Sequence, residues 1–116
     1  MIDQVRPSQL AAWLQTHRGA DAGTLPIVLD VREPWEWKSA SIKADGFHLL
    51  CMAMGEVPAR LAELPSATPI ACLCHHGARS QRVAAYLEQR GHGPMANIAG
   101  GIDAWSSEID ASVPRY

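Results

Sequence analysis

The chain has 116 residues, of which 47% are hydrophobic and 19% are charged. These proportions are typical of a globular protein with one core, and they exclude a disordered, fibrous or coiled-coil chain. Ten Lys and Arg against twelve Asp and Glu leave a formal net charge of -2, so no overall basic field attracts nucleic acid or anionic lipid. We therefore expect one domain over residues 1–116, with no nucleic-acid partner and no membrane partner.

The cysteines and the first residues of the chain indicate the cellular compartment of the protein. No apolar run approaches the roughly 18 residues that cross a bilayer, and the opening MIDQVRPSQL lacks the pattern of a signal peptide. The three cysteines are too few for a disulfide framework. We therefore expect a cytoplasmic protein whose thiols are reduced.

The predicted elements alternate between helix and strand. A helix with an apolar stripe begins at Pro7 and ends near Gly19. After a turn-rich connector, the β-branched run PIVLDV over residues 26–31 predicts a strand buried on both faces. A short helix follows from Glu33, and the apolar residues 47–50 predict a second strand.

The second half of the chain continues this alternation. Apolar spacing predicts one helical face that consists of Val57, Leu61 and Leu64. Residues 70–74, IACLC, predict another buried strand, and residues 79–90 predict an amphipathic helix. A last strand over residues 95–98 and a last helix over residues 102–109 complete the pattern.

Strict alternation of this kind predicts the α/β class, with a small, mostly parallel β-sheet that carries helices on both faces. In such sheets, ligands bind beyond the carboxyl ends of the strands. The loop that leaves the strand over residues 70–74 begins at Cys74, so we expect chemistry there.

The segment CHHGARS, residues 74–80, places a thiol between a strand and a helix start. The unpaired N–H groups of a helix start and its preceding turn favour an anion, and a thiolate is such an anion. Gly77 allows a positive φ in the short loop, and Arg79 adds a permanent charge. Because no acidic residue lies between Glu63 and Glu88, we expect a locally cationic loop that attracts an anionic substrate.

Three motifs, DVREPWEW, CHHGARS and NIAGGIDAW, together resemble the single-domain rhodaneses, a family of sulfurtransferases. The resemblance implies that the loop cysteine takes a sulfane sulfur from a donor such as thiosulfate and becomes a persulfide. The persulfide then passes the sulfur to a thiophilic acceptor, which can be a thiol or a protein, and no cofactor is required. The resemblance assigns Cys74 as the catalytic nucleophile.

The resemblance also assigns roles to neighbouring residues. The backbone of the loop holds the persulfide, and Arg79 can pair with an anionic donor. The substrate-binding residues of this loop are His75, His76, Gly77, Ala78, Arg79 and Ser80. Asp30 and Arg32 match family positions with a structural role. The chain has SIKADGFHLL where the family often has a His, Ile, Pro, Gly, Ala stretch, so His48 receives no role.

Two functions other than sulfur transfer remain open at this point. Phosphatases and arsenate reductases of the same general fold separate their cysteine and arginine by five residues, whereas four residues separate Cys74 from Arg79 here. The shorter loop favours a single sulfur atom over a tetrahedral oxyanion. The first alternative is a non-catalytic carrier or docking module with this fold, and the second is a phosphatase or arsenate reductase.

The remaining thiols and the histidines have simpler interpretations. We expect Cys72 to be a buried apolar residue that is not paired with Cys74. We expect Cys51 to be a core or loop residue, and its pairing with Cys74 stays open. His75 and His76 are either exposed loop residues without a role or cations that favour the thiolate as the pH falls toward 6. Cys and His in this segment lack the second ligand pair of a structural zinc site, so we expect no metal.

We assign the tryptophans to packing rather than to a binding platform. They are Trp13, Trp35, Trp37 and Trp105. Arg82 and Arg90 fall on the polar side of the helix after the loop, where a solvated face is expected.

Overall fold

The computed structural model describes residues 2–17 and 25–116. The strands are β1 (Ile2–Val5), β2 (Ile27–Asp30), β3 (His48–Cys51), β4 (Ile70–Leu73) and β5 (Met95–Ile98). The helices are α1 (Pro7–His17), α2 (Pro34–Ser39), α3 (Ala78–Gln89) and α4 (Gly101–Glu108), with 3-10 turns at Met54–Glu56 and Leu61–Glu63.

The described strands form one five-stranded sheet in the order β1-β5-β4-β2-β3. All four pairings in this described sheet are parallel. Asp30 at the end of β2 pairs with Cys51 on one side and with Leu73 on the other. The carboxyl ends of these strands therefore lie at one edge, which confirms the predicted α/β architecture and places Cys74 at that edge.

Helices cover both faces of the sheet, as predicted. Leu10, Trp13 and Trp105 of α1 and α4 pack on one face. On the other face, Val83 and Leu87 of α3 pack with the opposite side chains of the strands. Residues of β2, β4 and β5 are buried throughout, as expected for strands covered on both sides.

Two elements differ from the prediction. The edge strand β1 was not predicted, because IDQV carries only two apolar residues and its strand form depends on pairing with β5. The predicted helical face at Val57, Leu61 and Leu64 is wrong, since short 3-10 turns replace a helix there. Pro58 lacks the N–H that a continuous helix through this segment would use.

Three smaller points concern the ends and the tryptophans. The structure does not describe residues 18–24. The predicted end of the first helix near Gly19 and most of the predicted connector therefore lie outside the described residues. Trp13 and Trp105 are buried as expected, whereas Trp35 is 63% exposed on the outer face of α2. None of the described helices has both the length and the apolar character needed to cross a bilayer.

Candidate active site

Cys74 follows β4 directly, and its side chain lies at the bottom of the loop with 1% of the residue exposed. Its Sγ accepts a hydrogen bond from the N–H of Gly77 at 3.0 Å and one from the hydroxyl of Ser80 at 3.2 Å. Gly77 precedes α3 with a φ of 115°, a conformation that favours glycine. The predicted arrangement of sulfur, glycine and helix start is therefore present.

The start of α4 fixes the backbone of this loop. The N–H groups of Ile102 and Asp103 donate to the carbonyl oxygens of Cys74 and His75, at 2.9 and 3.2 Å. Because each peptide is planar and trans, the N–H that follows each carbonyl points away from α4. A Cβ at Gly101 would lie 2.4 Å from both carbonyl oxygens, so this glycine permits the close approach.

Ser80 connects the sulfur to the sheet. Its buried hydroxyl lies 2.5 Å from Oδ1 of Asn97 in β5, in addition to its contact with Cys74. A hydroxyl has one proton, so Ser80 donates to either Asn97 or the sulfur at any moment. The amide of Asn97 donates to Gln4 at 2.9 Å and to the carbonyl of Gly77 at 3.2 Å. Sequence reasoning missed Asn97, although it begins the motif NIAGGIDAW.

Arg79 is held by a buried carboxylate from a distant part of the chain. Its two terminal nitrogens donate to Oε1 and Oε2 of Glu36, at 2.6 and 2.9 Å, and the Glu36 side chain is 4% exposed. The hydrogen bonds from Arg79 lower the pKa of Glu36 to about 2, although burial opposes this shift. The same hydrogen bonds raise the pKa of Arg79.

The Glu36 pair corrects the expectation of a locally cationic loop. α2, which carries Glu36, follows β2, and β2 lies beside β4 in the sheet. The fold therefore supplies a negative partner that is absent from the local sequence. Glu36 lies within the motif DVREPWEW, but no sequence pattern around it predicts a contact with Arg79. Sequence reasoning therefore missed it.

A second buried ion pair supports α2. Nη2 of Arg32 lies 2.7 Å from Oδ2 of Asp30, and both side chains are at most 1% exposed. The same nitrogen donates to the carbonyl of Ala40 at 2.8 Å, and Nη1 donates to the carbonyl of Glu36 at 3.2 Å. These contacts attach α2 to the end of β2, in agreement with the structural role that the resemblance implies.

The two histidines of the loop stack on each other. Their ring centroids lie 4.0 Å apart, and the other face of His75 stacks on Tyr116 at 4.1 Å. Burial, followed by the effect of His76, lowers the pKa of His75 from 6.5. The charged form of His75 is therefore disfavoured, which argues against His75 as the cation considered for the thiolate. His76 and Ala78 are exposed at the surface of the loop.

One group in the described residues has the composition of a metal site. The potential ligand atoms of His75, His76 and Asp103 lie within 4.8 Å of one another. Tetrahedral zinc with bonds near 2 Å needs ligand separations of roughly 3.4 Å. Both oxygens of Asp103 already accept hydrogen bonds from Arg115 at 3.0 Å. We therefore assign Asp103 to this ion pair and not to a metal.

The other two thiols differ from Cys74. Cys72 is free and fully buried in the core, as predicted, and burial raises its pKa. Cys51 is also free, but it is exposed at the end of β3 rather than buried in the core or placed in a loop. It lies at the exposed edge strand of the described sheet.

Comparison with known proteins agrees with this geometry. The model of the rhodanese-like domain family matches residues 10–108. A sulfurtransferase of Allochromatium vinosum is 35% identical over 80 residues, which cover 69% of this chain and 71% of that protein. An adenylyltransferase and sulfurtransferase of Zea mays is 33% identical over 100 residues, which cover 84% of this chain.

The chain spans 21% of the length of the Zea mays protein. A solved structure, the rhodanese-related protein of Thermoplasma volcanium, has the same fold with a TM-score of 0.74 and 24% identity, over 98% of this chain and 99% of that one. The names of the two relatives support sulfur transfer as the general class of reaction. Because the family model covers most of the sequence, the chain belongs to the rhodanese-like domain family.

Proposed function

We propose that the protein transfers a sulfane sulfur through a persulfide on Cys74. The donor is a small molecule such as thiosulfate, and the acceptor is a thiol or a protein. The observation that carries the proposal is the position of Sγ at the start of α3, where it accepts hydrogen bonds from Gly77 and Ser80. Donors aimed at a sulfur stabilise the negative charge of a thiolate, which is the nucleophilic form.

The reaction consists of two displacements. The Cys74 thiolate attacks the outer sulfur of thiosulfate, the S–S bond of the donor breaks, and sulfite leaves with the electron pair. The enzyme then carries one additional sulfur on Sγ. An acceptor thiolate attacks this outer sulfur, and the Cys74 thiolate is regenerated as the leaving group. No oxidant and no cofactor enter this balance.

We propose that the backbone from His75 to Ser80 binds the transferred sulfur. Gly77 and Ser80 donate hydrogen bonds to Sγ of Cys74 at the base of the loop. His75, His76 and Ala78 form the rim of the loop. Arg79 takes part as one half of the ion pair with Glu36, so its main contribution is to hold the loop in shape. A cytoplasmic setting is part of the proposal, since this chemistry needs reduced thiols.

Intact mass measurement tests the proposal directly. The protein is incubated with thiosulfate, excess donor is removed, and the mass is expected to rise by one sulfur atom. Cys74→Ser abolishes this gain, while Cys51→Ser and Cys72→Ser keep it and serve as matched controls. A gain that survives Cys74→Ser contradicts the mechanism. A folded protein that forms no persulfide with any donor favours a docking module instead.

Hydrolysis of a phosphate ester and reduction of arsenate are measured beside the turnover of thiosulfate. Four residues between Cys74 and Arg79 form a small ring, and Glu36 occupies the arginine that would otherwise hold an oxyanion. We expect turnover of thiosulfate and none of the ester or of arsenate. Turnover of the ester alone would reverse this assignment.

A further inference from the structure

The tail residue Tyr116 lies between the two buried ion pairs next to the active site. Its hydroxyl donates to Oε2 of Glu36 at 2.5 Å and accepts from Nη1 of Arg32 at 3.0 Å. Burial raises the pKa of Tyr116, so the hydroxyl keeps the proton that it donates. A single hydroxyl thus joins the pair Arg32–Asp30 to the pair Arg79–Glu36.

The ring of Tyr116 also contacts the catalytic loop. It stacks on His75, the residue after Cys74, with centroids 4.1 Å apart and planes inclined by 8°. It also meets Trp35 of α2 in an edge-to-face contact, with centroids 6.0 Å apart and planes inclined by 84°. Tyr116 therefore touches both α2 and the loop, which are joined on the other side by the Glu36–Arg79 pair.

The segment that leads to Tyr116 is attached to α4. Val113 is buried, and its carbonyl accepts a hydrogen bond from the hydroxyl of Ser106 at 2.7 Å. Arg115 donates twice to the carboxylate of Asp103, and the N–H of Asp103 donates to the carbonyl of His75. These contacts fix the position of the tail relative to the loop.

The Glu36 carboxylate needs this support because it is buried. It accepts hydrogen bonds from the N–H of Glu33, from both terminal nitrogens of Arg79 and from Tyr116. A carboxylate with several donors keeps one orientation, and that orientation determines where Arg79 lies. Loss of the Tyr116 hydroxyl leaves Oε2 with Arg79 as its remaining donor among these contacts.

We propose that Tyr116 is a positioning residue for sulfur transfer, which orients Glu36 and thereby Arg79 through its hydroxyl and holds the His75 end of the loop through its ring. The proposal rests on the proposed function of Cys74. Tyr116 does not touch the sulfur, so its effect on the reaction passes through the shape of the loop.

The test compares Tyr116→Phe, Tyr116→Ala and the control Tyr86→Phe. Tyr86 lies on α3 against Arg90, and it is not among the hydrogen-bond partners described above for Cys74, Glu36 and Arg79. The rate of persulfide formation is measured in single turnovers, and NMR follows the titration of His75. We expect the Phe variant at position 116 to react about tenfold more slowly than the wild type, the loss that about 1.4 kcal/mol of transition-state stabilisation produces. Tyr86→Phe reacts at the wild-type rate.

Comparison of the Ala variant with the Phe variant separates the contribution of the Tyr116 ring from that of its hydroxyl. Without the ring, water reaches His75, so its pKa rises toward the ordinary value, whereas the Phe variant keeps the low value. Wild-type rates in both Tyr116 variants, with an unchanged His75 titration, would overturn the proposal. If the Ala variant does not fold, the comparison of Tyr116→Phe with Tyr86→Phe tests the proposal. Equal rates of persulfide formation in these two variants then overturn it.

Failure of the proposed function is recognised separately. In that case the wild-type protein gains no sulfur, and the amide spectrum of the unreacted protein still reports on the loop. Shifts of the His75 and Gly77 amides in the Tyr116 variants, absent from Tyr86→Phe, then support the positioning role alone. Unshifted amides in every variant contradict it.

Discussion

The carboxylate of Glu36 binds both terminal nitrogens of Arg79, 43 residues further along the chain. The pair joins α2 to the first turn of α3, the helix that follows the Cys74 loop. Arg79 carries its charge in this pair instead of presenting it to solvent as an isolated cation.

Glu36→Gln removes the negative charge while it keeps the shape of the side chain. We expect the free energy of unfolding at neutral pH to fall by about 2 kcal/mol, less than for a fully buried pair because Arg79 is 31% exposed. Chemical denaturation measures the change. The matched control is Glu63→Gln, whose exposed pair with Arg60 contributes little. Equal stability of Glu36→Gln and wild type contradicts the prediction.

The same carboxylate predicts how stability responds to acid. The pKa of Glu36 is about 2 in the folded protein and 4.5 ordinarily, so the unfolded chain binds the proton more readily. The stabilisation is present above pH 4.5 and is lost as the pH falls from about 4.5 through about 2. Denaturation at a series of pH values should show a steeper decline for the wild type than for Glu36→Gln. Parallel curves would rule out this contribution.

Ser80→Ala removes the hydroxyl that lies 3.2 Å from Sγ of Cys74 and donates its one proton to that sulfur or to Asn97. A hydrogen bond to a charged group contributes about 1.5 to 3 kcal/mol, so we expect persulfide formation to slow by about tenfold or more. Stopped-flow measurement with thiosulfate gives the rate. Ser107→Ala is the control, because the Ser107 hydroxyl bonds to a carbonyl of its own helix. An unchanged rate in Ser80→Ala would exclude this hydroxyl from the reaction.

Gly101→Ala tests the close approach of α4 to the loop. The new Cβ would lie 2.4 Å from the carbonyl oxygens of Cys74 and His75, so the backbone must move. We expect a loss of about 3 kcal/mol in the free energy of unfolding, together with slower persulfide formation. Gly91→Ala is the control, since Gly91 also has a positive φ but open space around it. Its expected loss is about 1 kcal/mol. Equal losses in the two variants would show that contact with the loop does not matter.

Cys72 and Cys51 should differ in their reaction with an alkylating reagent. Cys72 is fully buried and its pKa is raised, so we expect no labelling before the protein unfolds. Cys51 is exposed and should be labelled in the folded protein. Peptide mapping with and without denaturant measures both. Labelling of Cys72 at the rate of Cys51 in the folded protein contradicts the buried position.

The sequence by itself determined the parts of this protein that are contiguous. The strand over residues 70–74, Gly77 and the following helix appear in a short stretch, and local backbone preferences decide their form. The α/β class follows from the order of such units, since parallel strands require crossovers. The edge strand Ile2–Val5 has a weak pattern of its own, and pairing with β5 forms it.

Only the tertiary structure decided the surroundings of the sulfur. Glu36, Asn97 and Tyr116 come from three distant segments, and no spacing in the sequence relates them to Cys74. They meet because parallel strands place their carboxyl ends at one edge, where the following loops and helices converge. A charge count along CHHGARS therefore shows a cationic loop, while the folded chain neutralises Arg79 with a carboxylate from the helix that follows another strand.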